Sequence, residues 1–234
     1  MPRLLKMQIP NDELHRRLGG GIPSGSIIFI EGDRGTGKSI FSQRLTYGFL
    51  KNDIQVSYVS TQLTTPEFIN QMESLGYSVI PFLIKRKLLF VSLYPLLSSV
   101  SKRGKFLPRF LSEGRLWERD VIVIDSLPSI LPPKIDEETL RQFTEHLKKL
   151  SALNKAIILT ASPNDLDSSV LSILEEIATM LIRLQVNVFG GDLKNSATIV
   201  KYNNAMGIFQ KIIPFRVEPR AGFVVEIAVV VQNG

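Results

Sequence analysis

Eight consecutive residues, Gly32-Asp33-Arg34-Gly35-Thr36-Gly37-Lys38-Ser39, have the types and order of a loop that wraps phosphate. Glycine lets the backbone N–H groups from Gly35 to Ser39 turn inward with no Cβ in the way. The helix expected to follow, entered through Ser39 and Ile40, adds unpaired donors and a partial positive charge. Lys38 is placed to reach the β- and γ-phosphates of a nucleotide, and the Ser39 hydroxyl to hold Mg²⁺. Asp33, Arg34, Thr36 and Ile40 belong to the same cradle.

Such a loop needs a metal-binding carboxylate at the end of a neighbouring apolar strand. Val121-Ile122-Val123-Ile124-Asp125 supplies one, with Asp125 expected to reach the metal through its bound water. Hydrolysis also needs a group that aligns or deprotonates water. The position after Asp125 is Ser126, and the strand after the first helix runs into Gln62-Leu63 where an acid is expected. A glutamine takes no proton, although it can orient water. Gln62 therefore predicts slow turnover, with Glu67 as the fallback base.

The elements that must position these residues alternate along the chain. Asn11 or Asp12 is expected to cap a short helix, Glu13–Leu18, that stops at three glycines. Ser26–Ile30 reads as a buried strand, and Ser39–Leu50 as a helix whose Phe41, Leu45 and Phe49 share one face. Strand Ile54–Ser60 and helix Glu67–Leu75 follow, then apolar runs Leu88–Leu93 and Val121–Ile124. Helix Asp136–Asn154 precedes strand Ala156–Thr160, whose end at Thr160-Ala161-Ser162 lies near the expected phosphates. Ser162 or Asn164 could sense them, and an ordinary Ser-Pro turn explains the same residues. Past about Ile177 come Met180–Val188, Ala197–Lys201 and Phe223–Val231, strand-like and separated by turns. The pattern predicts one α/β domain over residues 1–234, a mostly parallel sheet with helices on both faces and antiparallel strands at its C-terminal edge.

Composition narrows the function. The 234 residues are 44% hydrophobic and 21% charged, which excludes disorder. Leu88–Leu97 is too short an apolar stretch for a membrane span, which needs about 20 residues. With no cysteine and two histidines, His15 and His146, thiol and zinc chemistry are not expected. A soluble, intracellular protein is expected. The net charge of +6 is concentrated between Ile84 and Arg119, where nine basic residues face two acids. That stretch suits an anionic partner or a plain solvated surface.

With these residues in place, the chain resembles the RecA/KaiC branch of phosphate-loop ATPases. Within it, the chain is similar to the FlaH (ArlH) family of ATP-binding proteins of the archaeal motility motor. The lead-in from Leu18 to Ser26 resembles the segment those proteins carry before the phosphate loop, and the spacing from Gly32 to Asp125 suits them. The stretch from Pro214 to Glu226 is similar to the family's C-terminal segment, as is Gln62-Leu63 in place of the catalytic acids.

The resemblance covers essentially the whole chain. It implies ATP and Mg²⁺ as ligands, a RecA-like fold, a hexameric ring, and a cytoplasmic place peripheral to the membrane. It also implies the motor ATPase FlaI, the platform FlaJ and the scaffold FlaX as partners. In KaiC-type rings a neighbouring subunit offers a lysine and an arginine, two residues apart, to the γ-phosphate. Lys201 matches the lysine, acting in trans, and Asn203 stands in the arginine's place. With acid and arginine both replaced, the resemblance implies a nucleotide-gated switch. A DNA-acting ATPase and an autokinase are the alternatives, and the acidic segment after Asp125, through Pro132-Pro133 to Glu138, argues against a DNA-contacting loop.

Overall fold

Alternation along each strand sorts its apolar residues onto two faces, and each face needs its own cover. In the strand before the phosphate loop, Ile28 and Ile30 join one buried cluster while Ile27 and Phe29 join a second. The computed structural model describes residues 2–10, 12–94, 103–131, 134–189 and 192–226. In chain order its elements are β1 (Leu4–Leu5), α1 (Leu14–Arg17), β2 (Ile22–Pro23), β3 (Ile27–Gly32), α2 (Lys38–Lys51), β4 (Val56–Ser60), α3 (Thr65–Ser74) and α4 (Ile80–Ile84). Then come β5 (Leu88–Ser92), α5 (Arg103–Leu111), β6 (Val121–Asp125), α6 (Glu137–Ala152), β7 (Ala156–Ala161), α7 (Ser168–Ile177), β8 (Met180–Phe189), β9 (Asp192–Tyr202), β10 (Ile212–Glu218) and β11 (Gly222–Val225).

Among the described residues, nine strands form one sheet in the order β11-β10-β9-β8-β3-β7-β6-β4-β5. The six from β8 to β5 are parallel, and β9, β10 and β11 add antiparallel pairs at the other edge. Phe41, Leu45 and Phe49 bury the α2 face against Ile30, Tyr58 and Phe215 in one cluster. Phe143 and Leu147 of α6, with Val170 and Leu174 of α7, cover Phe29, Ile124 and Leu159 on the other face. The expected sheet, its two covered faces and its antiparallel edge are all present.

Several boundaries differ from the sequence expectation. The stretch expected to be a turn before Phe223 contains β10, because Pro214 lowers its strand signal. Its carbonyl still accepts from the Glu226 N–H at 2.9 Å, so the ladder loses little. Asn11, residues 95–97 of the apolar run, the pair Pro132-Pro133 and residues 227–231 of the last expected strand lie outside the described residues. The basic stretch runs from the end of α4 through β5 and α5, with residues 95–102 also outside.

Asp12 does more than start α1. Its Oδ1 accepts from the Leu14 N–H at 2.8 Å, and its Oδ2 accepts from Arg44 Nε at 2.7 Å. Arg44 is fully buried in α2, and its Nη1 also donates to the Met7 carbonyl at 2.9 Å. Removing the carboxylate strands a buried guanidinium. Asp12→Ala is therefore expected to cost about 3–5 kcal/mol of folding free energy. Urea unfolding followed by circular dichroism measures it, and a loss below about 1 kcal/mol would mean that the pair behaves as a surface one.

Candidate functional site

The strand order places the site. Chain connections leave β3 toward β4 on one side and enter β8 on the other, so a crevice opens at the carboxyl ends of β3, β7 and β6. The phosphate loop lies in it. Gly37 precedes α2 with φ +92°, a conformation that favours glycine. A Cβ on Gly32 would stand 2.5 Å from the Leu184 carbonyl oxygen, while one on Gly35 would meet open space. The loop is thus tight against β8 at its base and open at its tip.

A cleft of about 750 Å³ sits over it, lined by Arg34, Gly35, Gly37, Lys38, Ser39 and Ile40 from the loop and α2. Gln62, Gln71, Asp125, Ser126, Ser162 and Asp165 face the same space. Lys38 Nζ donates to the carbonyls of Gly32 at 2.6 Å and Asp33 at 2.7 Å. Burial lowers its pKa from the ordinary lysine value, and the nearby Asp125 charge works the other way. Thr36 turns inward and its hydroxyl donates to the Asp33 carbonyl at 2.8 Å, so it shapes the loop from behind.

Two side-chain contacts tie the loop to the turn after β7. Arg34 Nη2 meets Asp165 Oδ1 at 3.1 Å, and Asn164 Nδ2 donates to Asp33 Oδ1 at 3.1 Å. Asn164 thus braces the loop, and Ser162 lines the cleft.

Asp125 is 5% exposed and surrounded by hydroxyl donors. Ser39 Oγ donates to its Oδ1 at 3.1 Å, Thr160 Oγ1 to the same oxygen at 2.6 Å, and the Tyr58 hydroxyl to Oδ2 at 2.7 Å. Thr61 holds the backbone beside it: its N–H donates to the Asp125 carbonyl at 2.8 Å, and its Oγ1 accepts from the Ser126 N–H at 3.0 Å. Burial, then the Asp125 charge, pushes the Tyr58 phenol well above its ordinary pKa, so it stays a donor. A hydroxyl and a carboxylate side by side, next to a phosphate cradle, make the oxygen-donor set that suits a hard dication such as Mg²⁺. Ser39 would hold it, with Asp125 beside it.

Sequence reasoning placed Lys38, Ser39, Asp125 and Gln62 in one site, and they line one cleft. It missed Tyr58, Gln71 and the bond from Thr160. A tyrosine in an otherwise buried strand signals a hydroxyl in need of a partner, though not which one. Glu67 is engaged elsewhere: its Oε2 accepts from the Thr64 N–H at 2.8 Å and hydroxyl at 2.7 Å, capping α3 and lowering its pKa. Lys201 Nζ donates to the carbonyls of Glu175 at 3.2 Å and Glu176 at 2.8 Å, at the end of α7. Phe215 is a core ring stacked on Phe223, and Arg216 is an exposed partner of Glu218.

A central parallel sheet, a phosphate loop after β3 and a buried aspartate two strands away define a phosphate-loop nucleotide-binding protein of RecA-like fold. The sequence model of the KaiC family of ATPases matches residues 7–228. The archaeal flagellar ATP-binding protein FlaH of Methanocaldococcus jannaschii is 48% identical over 225 residues, covering 96% of this chain and 97% of that protein. FlaH of Sulfolobus acidocaldarius is 33% identical, covering 91% of this chain and 92% of its own length. The crystal structure of FlaH from Methanocaldococcus jannaschii superposes with a TM-score of 0.90 at 47% identity, over 97% of this chain and all of that one. A KaiC-like protein of Pyrococcus horikoshii shares the fold at a TM-score of 0.75 and 24% identity, over 97% of this chain and all of its own. The chain belongs to the KaiC family and, within it, to the FlaH proteins.

Proposed function

We propose that this chain is an ATP-binding regulatory component of the archaeal motility motor, in which Mg-ATP acts as a conformational switch and hydrolysis is slow or absent. The observation that carries this is the cleft's unequal equipment. Lys38, Ser39 and Asp125 provide for phosphate and metal, while Gln62 stands where a catalytic acid is expected. The other carboxylate lining the cleft, Asp165, is paired with Arg34. Among the described residues, no helix is long and apolar enough to cross a membrane, which fits a peripheral place at the cytoplasmic face.

In this reading ATP favours the state that assembles and binds partners, because only a ligand with different affinities for two states shifts them. The partners are the motor ATPase FlaI, the platform FlaJ and the scaffold FlaX, and the assembly is a hexameric ring with Lys201 reaching a neighbour's nucleotide. For that, Lys201 must leave the carbonyls of Glu175 and Glu176. The test is the nucleotide recovered from purified protein after incubation with Mg-ATP, desalting and denaturation, with light scattering for mass. Intact ATP after hours, with a mass above the monomer, is expected. Prompt conversion to ADP over many turnovers would sink the switch and return the chain to the working ATPases.

A further inference from the structure

Three hydroxyls converge on Asp125, and only one of them comes from a residue whose place at the site its motif explains. Ser39 belongs to the phosphate loop, Thr160 ends the strand between β3 and β6, and Tyr58 approaches from β4 on the far side. We propose that Tyr58 is a positioning residue: its phenol O–H holds the Asp125 carboxylate in the orientation in which it accepts from the metal's bound water. The inference rests on the Mg-ATP reading above.

A carboxylate has about four acceptor sites. Ser39 and Thr160 take both on Oδ1, and Tyr58 takes one on Oδ2, which leaves one. Mg²⁺ keeps several of its waters and demands near-octahedral geometry, so one fixed acceptor suits a bound water well. Tyr58 can fix it because its own ring does not move. The ring packs on Phe68 at 5.0 Å and Phe90 at 6.1 Å, and its side chain is fully buried. Its oxygen also lies 3.1 Å from Ser42 Oγ, and Ser42 reaches the Ser39 carbonyl at 2.9 Å. Helix α2 therefore holds Asp125 directly through Ser39 and packs the Ser42 hydroxyl beside the phenol oxygen.

Tyr58→Phe keeps the ring and removes the donor. The experiment titrates a fluorescent ATP analogue, mant-ATP, into the full chain with excess Mg²⁺ and again in EDTA. The wild type should bind more tightly with the metal. Tyr58→Phe should lose about 10-fold of that metal-dependent gain, the low end for a hydrogen bond to a charged group, with its EDTA affinity within about twofold of wild type. Ser42→Ala, which removes the hydroxyl beside the phenol oxygen without touching the ring, should move the same way by a smaller factor. Equal losses with and without metal in both variants would mean a merely structural role and overturn the proposal. So would an unchanged metal gain in Tyr58→Phe. A wild type with no metal gain would fail the Mg-ATP reading itself and take this inference with it.

Discussion

Replacing Gln62 by glutamate will raise the rate of ATP cleavage in a single turnover by about 10²-fold, the lower end of what a general base contributes. The residues expected to hold phosphate and metal already line the cleft. Gln62 faces the same cleft as Lys38, Ser39 and Asp125, at the loop that leaves β4. Thr61 beside it is bonded to the Asp125 carbonyl, so a glutamate at 62 would project from a braced backbone. A carboxylate near the reference pKa of about 4.3 is ionised at neutral pH and can accept the water's proton, which an amide cannot. The expected gain is set at the low end because the proposed ring reading puts Asn203 in the place of an arginine. Acid-quenched single turnovers with labelled ATP measure it. An unchanged rate would place the deficit at Asn203 rather than at Gln62.

Lys38→Ala will weaken ATP binding by about 10- to 150-fold, the range for hydrogen bonds to charged groups. The Lys38 ammonium donates to two loop carbonyls, which keeps it at the loop rather than extended into solvent. Binding exchanges those carbonyls for phosphate oxygens of full charge, and the alanine forgoes the exchange. Lys38→Arg should not restore affinity, because a planar guanidinium cannot occupy a pocket shaped for a point charge. Equilibrium titration with mant-ATP gives the ratio, and melting of the nucleotide-free variant should stay within a few degrees of wild type. Undiminished affinity would put the nucleotide outside this loop.

Much of this was legible because local pattern and tertiary role coincide. Glycines, Lys38 and Ser39 lie in one short segment between a strand and a helix, so their order alone describes the cradle. Asp125 was found because an apolar run ending in a carboxylate is distinctive. What stayed hidden depends on which strands lie side by side. Insertion of β7 between β3 and β6 brings Thr160 to Asp125, and β4 brings Tyr58, yet no local periodicity encodes that order. Glu67 was a different failure: the pattern Thr64-x-x-Glu67 is itself a capping signal, and the structure uses the acid there. Lys201 finds its carbonyls on α7 across the fold, a contact that no spacing along the chain describes.

The bracing of the phosphate loop by Asn164 and Asp165 has a mechanical consequence. These residues form the turn that leads into α7, whose ten residues make a rod of about 15 Å. Lys201 grips the far end of that rod. A displacement of Asp33 or Arg34 therefore bears on the turn that leads into α7, and the opposite end of that helix is where β9 makes its contact through Lys201.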